Sequence, residues 1–151
     1  MPDHDCSGKF DKRSTRRIDV TQHLNAVALV VPDYDQAIEY YCGVLGFDLI
    51  EDTPLAPQKR WVFIRPRGSN GTSILLAQAS NDAERQCIGN QTGGRVFLFL
   101  QTDDFDGDYQ KYSDNGVDFI ETPRNEPYGK VCKFRDCFGN SWDLLERSKS
   151  V

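Results

Sequence analysis

The sequence lacks the features that mark membrane, secreted and disulfide-stabilised proteins. No apolar run approaches the ~18 residues of a membrane-spanning helix. The charged stretch at the N-terminus has no apolar core of the kind that a secretory signal contains. The five cysteines are odd in number and form no C-x-x-C pair. We therefore expect reduced thiols, no membrane partner and a cytoplasmic location.

The chain also lacks an excess of positive charge, since its formal net charge is -5. Proteins that bind nucleic acid usually present a basic surface, so we expect no nucleic-acid partner. The chain has no G-x-G-x-x-G or other phosphate-binding loop and no G-x-S-x-G nucleophile turn. These absences argue against nucleotide binding and against serine-hydrolase chemistry.

The length of 151 residues suits one domain. Residues 1–20 mix acids and bases, with few large apolar side chains, which predicts a disordered tail. The remainder, 21–149, is predicted to form a single domain.

Two parts of this domain repeat each other. Residues 27–54 and 96–123 both begin with an apolar run, continue through an Asp-bearing break into a helical stretch, and end in G-x-D-x-I-E. Residues 60–78 match 129–146 in the same way. The repeat predicts an α+β fold of two tandem βαβββ units, about 22–80 and 92–147, which form a curved mixed sheet around a cleft.

Each unit reads as strand, helix and three further strands. Asp33 is predicted to cap the first helix, because Gln36 follows it by three residues. The predicted strands are 24–31, 47–52, 60–65 and 72–78 in the first unit and 95–101, 117–121, 130–135 and 141–146 in the second. The predicted helices are 34–44 and 104–114.

The segments VALVVPDYDQAIEYYCGVLGFDLIED and FRDCFGNSWDLLE resemble the opening and closing motifs of the glyoxalase / bleomycin-resistance / extradiol-dioxygenase superfamily, also called vicinal oxygen chelate proteins. The resemblance covers about residues 22–147. It implies the glyoxalase-like fold and a homodimer. It leaves the function open, because the superfamily contains lyases, isomerases, dioxygenases and non-catalytic drug-binding proteins.

Catalytic members of this family hold a divalent metal at four positions, and the resemblance places these at Ala26, Leu75, Arg95 and Asp143. Alanine and leucine have no donor atom, and arginine stays protonated. A single carboxylate does not make a tight site for zinc, nickel or iron. We therefore expect no metal and no cofactor; a divalent metal would need donors at other positions. His23 could act as a metal ligand only after a change of strand register, because it lies three residues before Ala26 and would point to the opposite face of the strand.

Arg95 and Asp143 should instead face each other on neighbouring strands. We expect an ion pair there, either purely structural or with Arg95 also binding a substrate carboxylate or phosphate. Ala26 and Leu75 would form an apolar wall on the other side of the pocket.

Further candidates follow from strand alternation and from strand ends. Phe97, Phe99 and Gln101 share a strand face with Arg95, and the two phenylalanines serve either as core or as a ligand platform. Strand ends, where the mouths of pockets are built, carry Arg60, Trp61, Tyr128 and Lys130. Asp143 and Glu121 are candidates for a catalytic acid or base if they are buried.

Three functions remain. The first is a protein that binds a small polar or charged molecule in its cleft without the family's metal. The second is a metal-free glyoxalase-like lyase or isomerase, with Arg95 as anchor and Asp143 or Glu121 as base. The third is a metal-dependent lyase or dioxygenase, against which the ligand positions speak. The pocket lies either within one chain or between the two chains of a dimer.

Overall fold

A computed structural model of the chain describes residues 20–149. The predicted disordered tail therefore lies, except for Val20, outside the described residues. The first half contains β1 (Ala26–Val31), α1 (Tyr34–Ile38) with a π-helical continuation (Glu39–Val44), β2 (Asp48–Ala56), β3 (Lys59–Arg65) and β4 (Ser73–Gln78). The short helix α2 (Asp82–Cys87) follows. The second half contains β5 (Leu98–Gln101), α3 (Phe105–Asp114), β6 (Asp118–Phe119), β7 (Arg124–Glu126), β8 (Gly129–Arg135) and β9 (Ser141–Arg147).

The strands form two mixed sheets of the same design. The first has the order β1-β4-β3-β2, and the second has the order β5-β9-β8-β6, with β7 also paired to β8. In each sheet the first strand of the half runs parallel to the last, and the other pairs are antiparallel. The α+β fold of two βαβββ units is thus confirmed, as is the adjacency of first and last strands.

Local signals in the sequence explain where the helices begin and end. Asp33 caps α1, because its side chain accepts a hydrogen bond of 2.8 Å from the backbone N–H of Gln36. Gly46 follows the π-helical segment with a φ of 76°, a conformation that favours glycine. Asp104 caps α3 by accepting from the N–H of Gly107. Among the described residues no helix is long and apolar enough to span a membrane.

The predictions were less accurate in the second half. Strand β5 begins at Leu98 instead of residue 95, because Gly93 and Gly94 both take positive φ values and form a turn before the chain enters the sheet. Strand β6 is only two residues long, and β7 takes over the pairing with β8. Helix α2 and strand β7 were not predicted.

A buried aspartate joins the two halves. Asp136 is 4% exposed and accepts hydrogen bonds from the Tyr41 hydroxyl at 2.5 Å and from the Trp142 indole at 2.9 Å. The backbone N–H groups of Phe138 and Asn140 bind its other oxygen. Tyr41 also packs against Trp142, with ring centroids 6.0 Å apart. One carboxylate therefore fixes the β8–β9 turn and ties it to the helix of the first half.

A glutamine side chain covers the outer edge of β1. The carboxamide of Gln91 accepts from the N–H of Val30 at 2.8 Å and donates to the carbonyl of Ala28 at 2.7 Å. Because β1 lies at the edge of its sheet, these backbone groups would otherwise be available to another strand. The connection between the halves is thereby attached to the first sheet.

We predict that Tyr41→Phe lowers the free energy of unfolding by about 2 kcal/mol, because it removes a hydrogen bond to a buried carboxylate. Urea unfolding followed by circular dichroism measures the loss. The matched control is Tyr40→Phe, since no hydrogen bond of the Tyr40 hydroxyl occurs within 20–149, and we expect it to cost much less. Equal losses in the two variants would contradict the role given to Asp136.

Candidate ligand-binding face

Three side chains lie in one row across the second sheet. Asp143 on β9 is the register partner of Phe99 on β5 and of Lys133 on β8. Partners in register point to the same face of a sheet, so the three side chains are neighbours. Gln101 shares this face one step along β5, next to Leu145. The register therefore places Phe99, Gln101 and Asp143, three members of the predicted face, on one side of the sheet.

Asp143 is buried without a compensating partner. It is 8% exposed, and within residues 20–149 its Oδ1 atom is inaccessible and makes no hydrogen bond. Burial raises the pKa of Asp143, while the positive charges of Lys133 and Arg124 act in the opposite direction. An unsatisfied buried carboxyl oxygen is costly for a fold, so its presence points to a role outside folding.

The predicted ion pair between Arg95 and Asp143 is wrong. Arg95 is exposed and lies in the turn before β5, where its backbone carbonyl accepts from the Thr92 hydroxyl. No ion pair of Arg95 or of Asp143 occurs in the described part of the chain. The error came from counting back along an unbroken strand, whereas the two glycines displace Arg95 from the sheet. Phe99 occupies the place opposite Asp143.

The cation beside Asp143 is Lys133, which the sequence analysis missed. Lys133 is half-buried and forms none of the ion pairs found among residues 20–149. The alternation of Val131, Lys133 and Arg135 along β8 could have identified it, because Lys133 is the only one of these that falls in line with Asp143.

Glu121 belongs to a network of ion pairs and hydrogen bonds beside this row. Its Oε1 atom accepts from the backbone N–H of Lys133 at 2.9 Å and from the Nε of Arg124 at 3.0 Å. Arg124 also binds Glu126. Burial acts to raise the pKa of Glu121, but these hydrogen bonds and charges together outweigh it, and the pKa is lowered. A stabilised carboxylate of this kind is a weak general base, which disfavours the catalytic role proposed for Glu121.

The first sheet has a separate cavity of about 670 Å³. Leu75 and Trp61 line it, together with Tyr34 and the end of α2. Trp61 is 39% exposed and contacts Phe63 edge to face. Arg60 also lines the cavity, but its guanidinium is held by Asp35 and Asp52, which leaves it little freedom to bind a ligand.

A second cavity, of about 700 Å³, lies between the halves and is lined by Phe99 and Gln101. On its other side it is bounded by the 45–47 and 66–69 segments and by α3. Neither cavity contains all four of Ala26, Leu75, Arg95 and Asp143. The described chain therefore does not bring the family's four metal positions into one pocket.

The remaining candidates have other surroundings. Ala26 begins β1 opposite Ser73. Phe97 is half-buried and packs against the core, whereas Phe99 is 65% exposed. Of the two predicted roles, Phe97 therefore has the core role, and Phe99 is available as a ligand platform.

Two candidates lie near the start of β8. Tyr128 is 46% exposed in the turn before this strand. Lys130 is bound to Asp106 at 2.6 Å, which ties β8 to α3.

The donor set does not fit the metal that the fold family implies. Ala26 and Leu75 carry no ligating atom, and the cation next to Asp143 is a lysine. His23 is exposed and lies before β1. No group of three or more His, Cys, Asp or Glu side chains suited to a metal occurs in the described range.

The family model described as Glyoxalase/Bleomycin resistance protein/Dioxygenase superfamily matches residues 23–144. The chain belongs to this superfamily. Over 126 residues it is 54% identical to an uncharacterized protein of Shewanella frigidimarina, a match that covers 83% of this chain and 93% of the relative. The superfamily membership confirms the resemblance on which the metal positions were assigned.

Two solved structures from Streptomyces sp. CB03234 are similar to this superfamily member. One is TnmS3, an antibiotic binding protein, with 29% identity and a TM-score of 0.68 over 85% of this chain and 98% of TnmS3. The other is a glyoxalase/bleomycin resistance protein, with 32% identity and a TM-score of 0.59 over 80% of this chain and 98% of that protein. The glyoxalase-like fold is thus shared almost throughout the described residues.

We predict opposite stability effects for two neutral substitutions on this face. Asp143→Asn should raise the free energy of unfolding at pH 7, because ionised Asp143 is destabilising above its raised pKa. That gain should shrink as the pH falls and the carboxyl is protonated in both states. Glu121→Gln should lower the free energy of unfolding at pH 7 by about 1 kcal/mol.

The loss in Glu121→Gln should fade as the pH falls through the lowered pKa of Glu121, because the carboxylate then loses its charge in the folded protein. Urea unfolding between pH 3 and pH 8 measures both trends. Destabilisation by Asp143→Asn at pH 7 would show that Asp143 has a folding partner after all.

Proposed function

We propose that the protein binds a small polar or charged molecule at the Asp143 face of its second sheet, without the family's metal centre and without converting that molecule. The observation that carries this proposal is Asp143 itself, a buried carboxyl whose Oδ1 atom has no hydrogen-bond partner among residues 20–149. A donor group of a ligand would bind the carboxyl through its other oxygen, Oδ2, and offset part of the cost of burying it.

The comparison with TnmS3 supports binding over catalysis. TnmS3 is an antibiotic binding protein of the same fold. The apolar residues at two of the family's metal positions favour the same function, because a chelated metal is the centre of catalysis in the family's enzymes.

A homodimer forms part of this proposal. Phe99 on the second sheet and Trp61 on the first are exposed aromatic side chains of strands, and large apolar groups of this kind often lie at subunit interfaces or ligand sites. A second copy that covers the sheet faces would close a ligand site between chains. Light scattering at micromolar concentration should therefore give twice the monomer mass.

A metal-free lyase or isomerase is the second candidate, because burial raises the pKa of Asp143. A carboxyl with a raised pKa can donate a proton at a higher pH than usual. Product analysis by mass spectrometry separates the candidates: an enzyme changes the ligand, whereas a binding protein returns it intact.

We predict that the purified protein contains far less than one equivalent of transition metal per chain, and that a chelator leaves ligand binding unchanged. Plasma mass spectrometry measures the metal, and a thermal-shift screen of carboxylic acids, phenols and cationic drugs finds ligands, since a bound ligand raises the melting temperature. A stoichiometric metal whose removal abolishes binding would overturn the proposal.

A further inference from the structure

The row of Phe99, Asp143 and Lys133 contains one aromatic, one acidic and one basic side chain in fixed order across three neighbouring strands. Adjacent strands are about 4.8 Å apart, so the row spans roughly 10 Å from β5 to β8. A ligand of two fused rings has about this length. The order of the three side chains therefore limits the order of groups on a ligand that lies along the row.

Phe99 is available for stacking. It is 65% exposed, the highest value for a large apolar side chain in any strand of the described range. It has no aromatic neighbour among those residues, whereas the rings of Phe134 and Trp142 on the opposite face stack on each other. An exposed flat ring at a ligand site favours a flat aromatic partner.

Besides Lys133, the charged groups that act on Asp143 are Glu121 and Arg124, and these two are already paired. Glu121 is bound by the backbone of Lys133 and by Arg124, and Arg124 is also bound by Glu126. The ammonium of Lys133 and the carboxyl of Asp143 take part in none of the ion pairs of residues 20–149. The ammonium of Lys133 and the Oδ2 atom of Asp143 are therefore the groups that can bind complementary groups of a ligand.

We infer that the ligand is an aromatic hydroxy acid whose ring stacks on Phe99, whose hydroxyl donates to Asp143 and whose carboxylate binds Lys133. This inference rests on the proposed function, because it names the ligand class of the same site. Ortho hydroxyl and carboxylate groups lie side by side at one end of the ring system, so both face Asp143 and Lys133 when the other end covers Phe99. The flexible stem of Lys133 lets its ammonium adjust to the acid.

The probe is 3-hydroxy-2-naphthoate, tested by isothermal titration calorimetry. Its comparison compounds are 2-naphthoate, which lacks the hydroxyl, and 2-naphthol, which lacks the acid. We expect the probe to bind about tenfold more tightly than either, because one ion pair or one charged hydrogen bond contributes about 1.4 kcal/mol.

The variants assign each group of the ligand to one side chain. Lys133→Gln should weaken both acids about tenfold and leave 2-naphthol unchanged. Asp143→Ala should weaken the two hydroxylated compounds only, and Phe99→Leu should weaken all three. The matched control is Arg135→Gln, since Arg135 is an exposed cation on the same face of β8 and should not matter. Circular dichroism and melting temperature confirm that each variant folds.

Two results would overturn this inference. One is equal affinity for 2-naphthol and the two acids; the other is an Arg135→Gln effect as large as that of Lys133→Gln, which would indicate unspecific attraction of anions. If the thermal-shift screen finds a cationic or neutral ligand while the naphthoates do not bind, this inference fails and the proposed function stands. If nothing in the screen or the naphthoate series binds, both fail.

Discussion

The arrangement of the molecule depends on the buried carboxylate of Asp136. It accepts hydrogen bonds from its own turn and from Tyr41 of the opposite half, so it fixes both the β8–β9 turn and the contact between the two repeats. A buried charge is tolerated only when its hydrogen-bonding capacity is filled, and here it is filled from two directions. Asp143 lies on β9, the strand that follows this turn. The hydrogen bonds of Asp136 therefore also position the candidate site.

Asp136 and Asp143 show how one type of side chain takes two roles according to its surroundings. Both are buried on the same β-hairpin, but both oxygens of Asp136 accept hydrogen bonds, whereas Asp143 Oδ1 has no donor in the described part of the chain. The hydrogen bonds of Asp136 stabilise the fold, whereas the carboxyl of Asp143 keeps hydrogen-bonding capacity that the fold does not use. Lys133 and Phe99 lie on either side of Asp143, so a cation and an aromatic ring flank this carboxyl.

Most of the fold could be predicted from the sequence, because the repeat and the Asp33 cap are local patterns. The predicted register opposite Asp143 was wrong, because the positive φ values of Gly93 and Gly94 depend on the path of the connection and not on strand alternation. Lys133 could have been predicted from the alternation along β8 together with the β8–β9 hairpin, which pairs it with Asp143. The hydrogen bond that Glu121 accepts from the backbone of Lys133 is a tertiary contact that no short pattern encodes, whereas its contact with Arg124 is local.

The attachment of Gln91 to β1 has a mechanical consequence. The connection is held to the first sheet as far as Gln91, and the second sheet begins to hold the chain at Phe97, whose N–H binds the carbonyl of Ser141. Any rotation of one repeat against the other, or exchange of a repeat between two copies, would have to change the backbone of residues 92–96. Gly93 and Gly94 lie in this stretch with open space around them, which makes it the natural pivot of the chain.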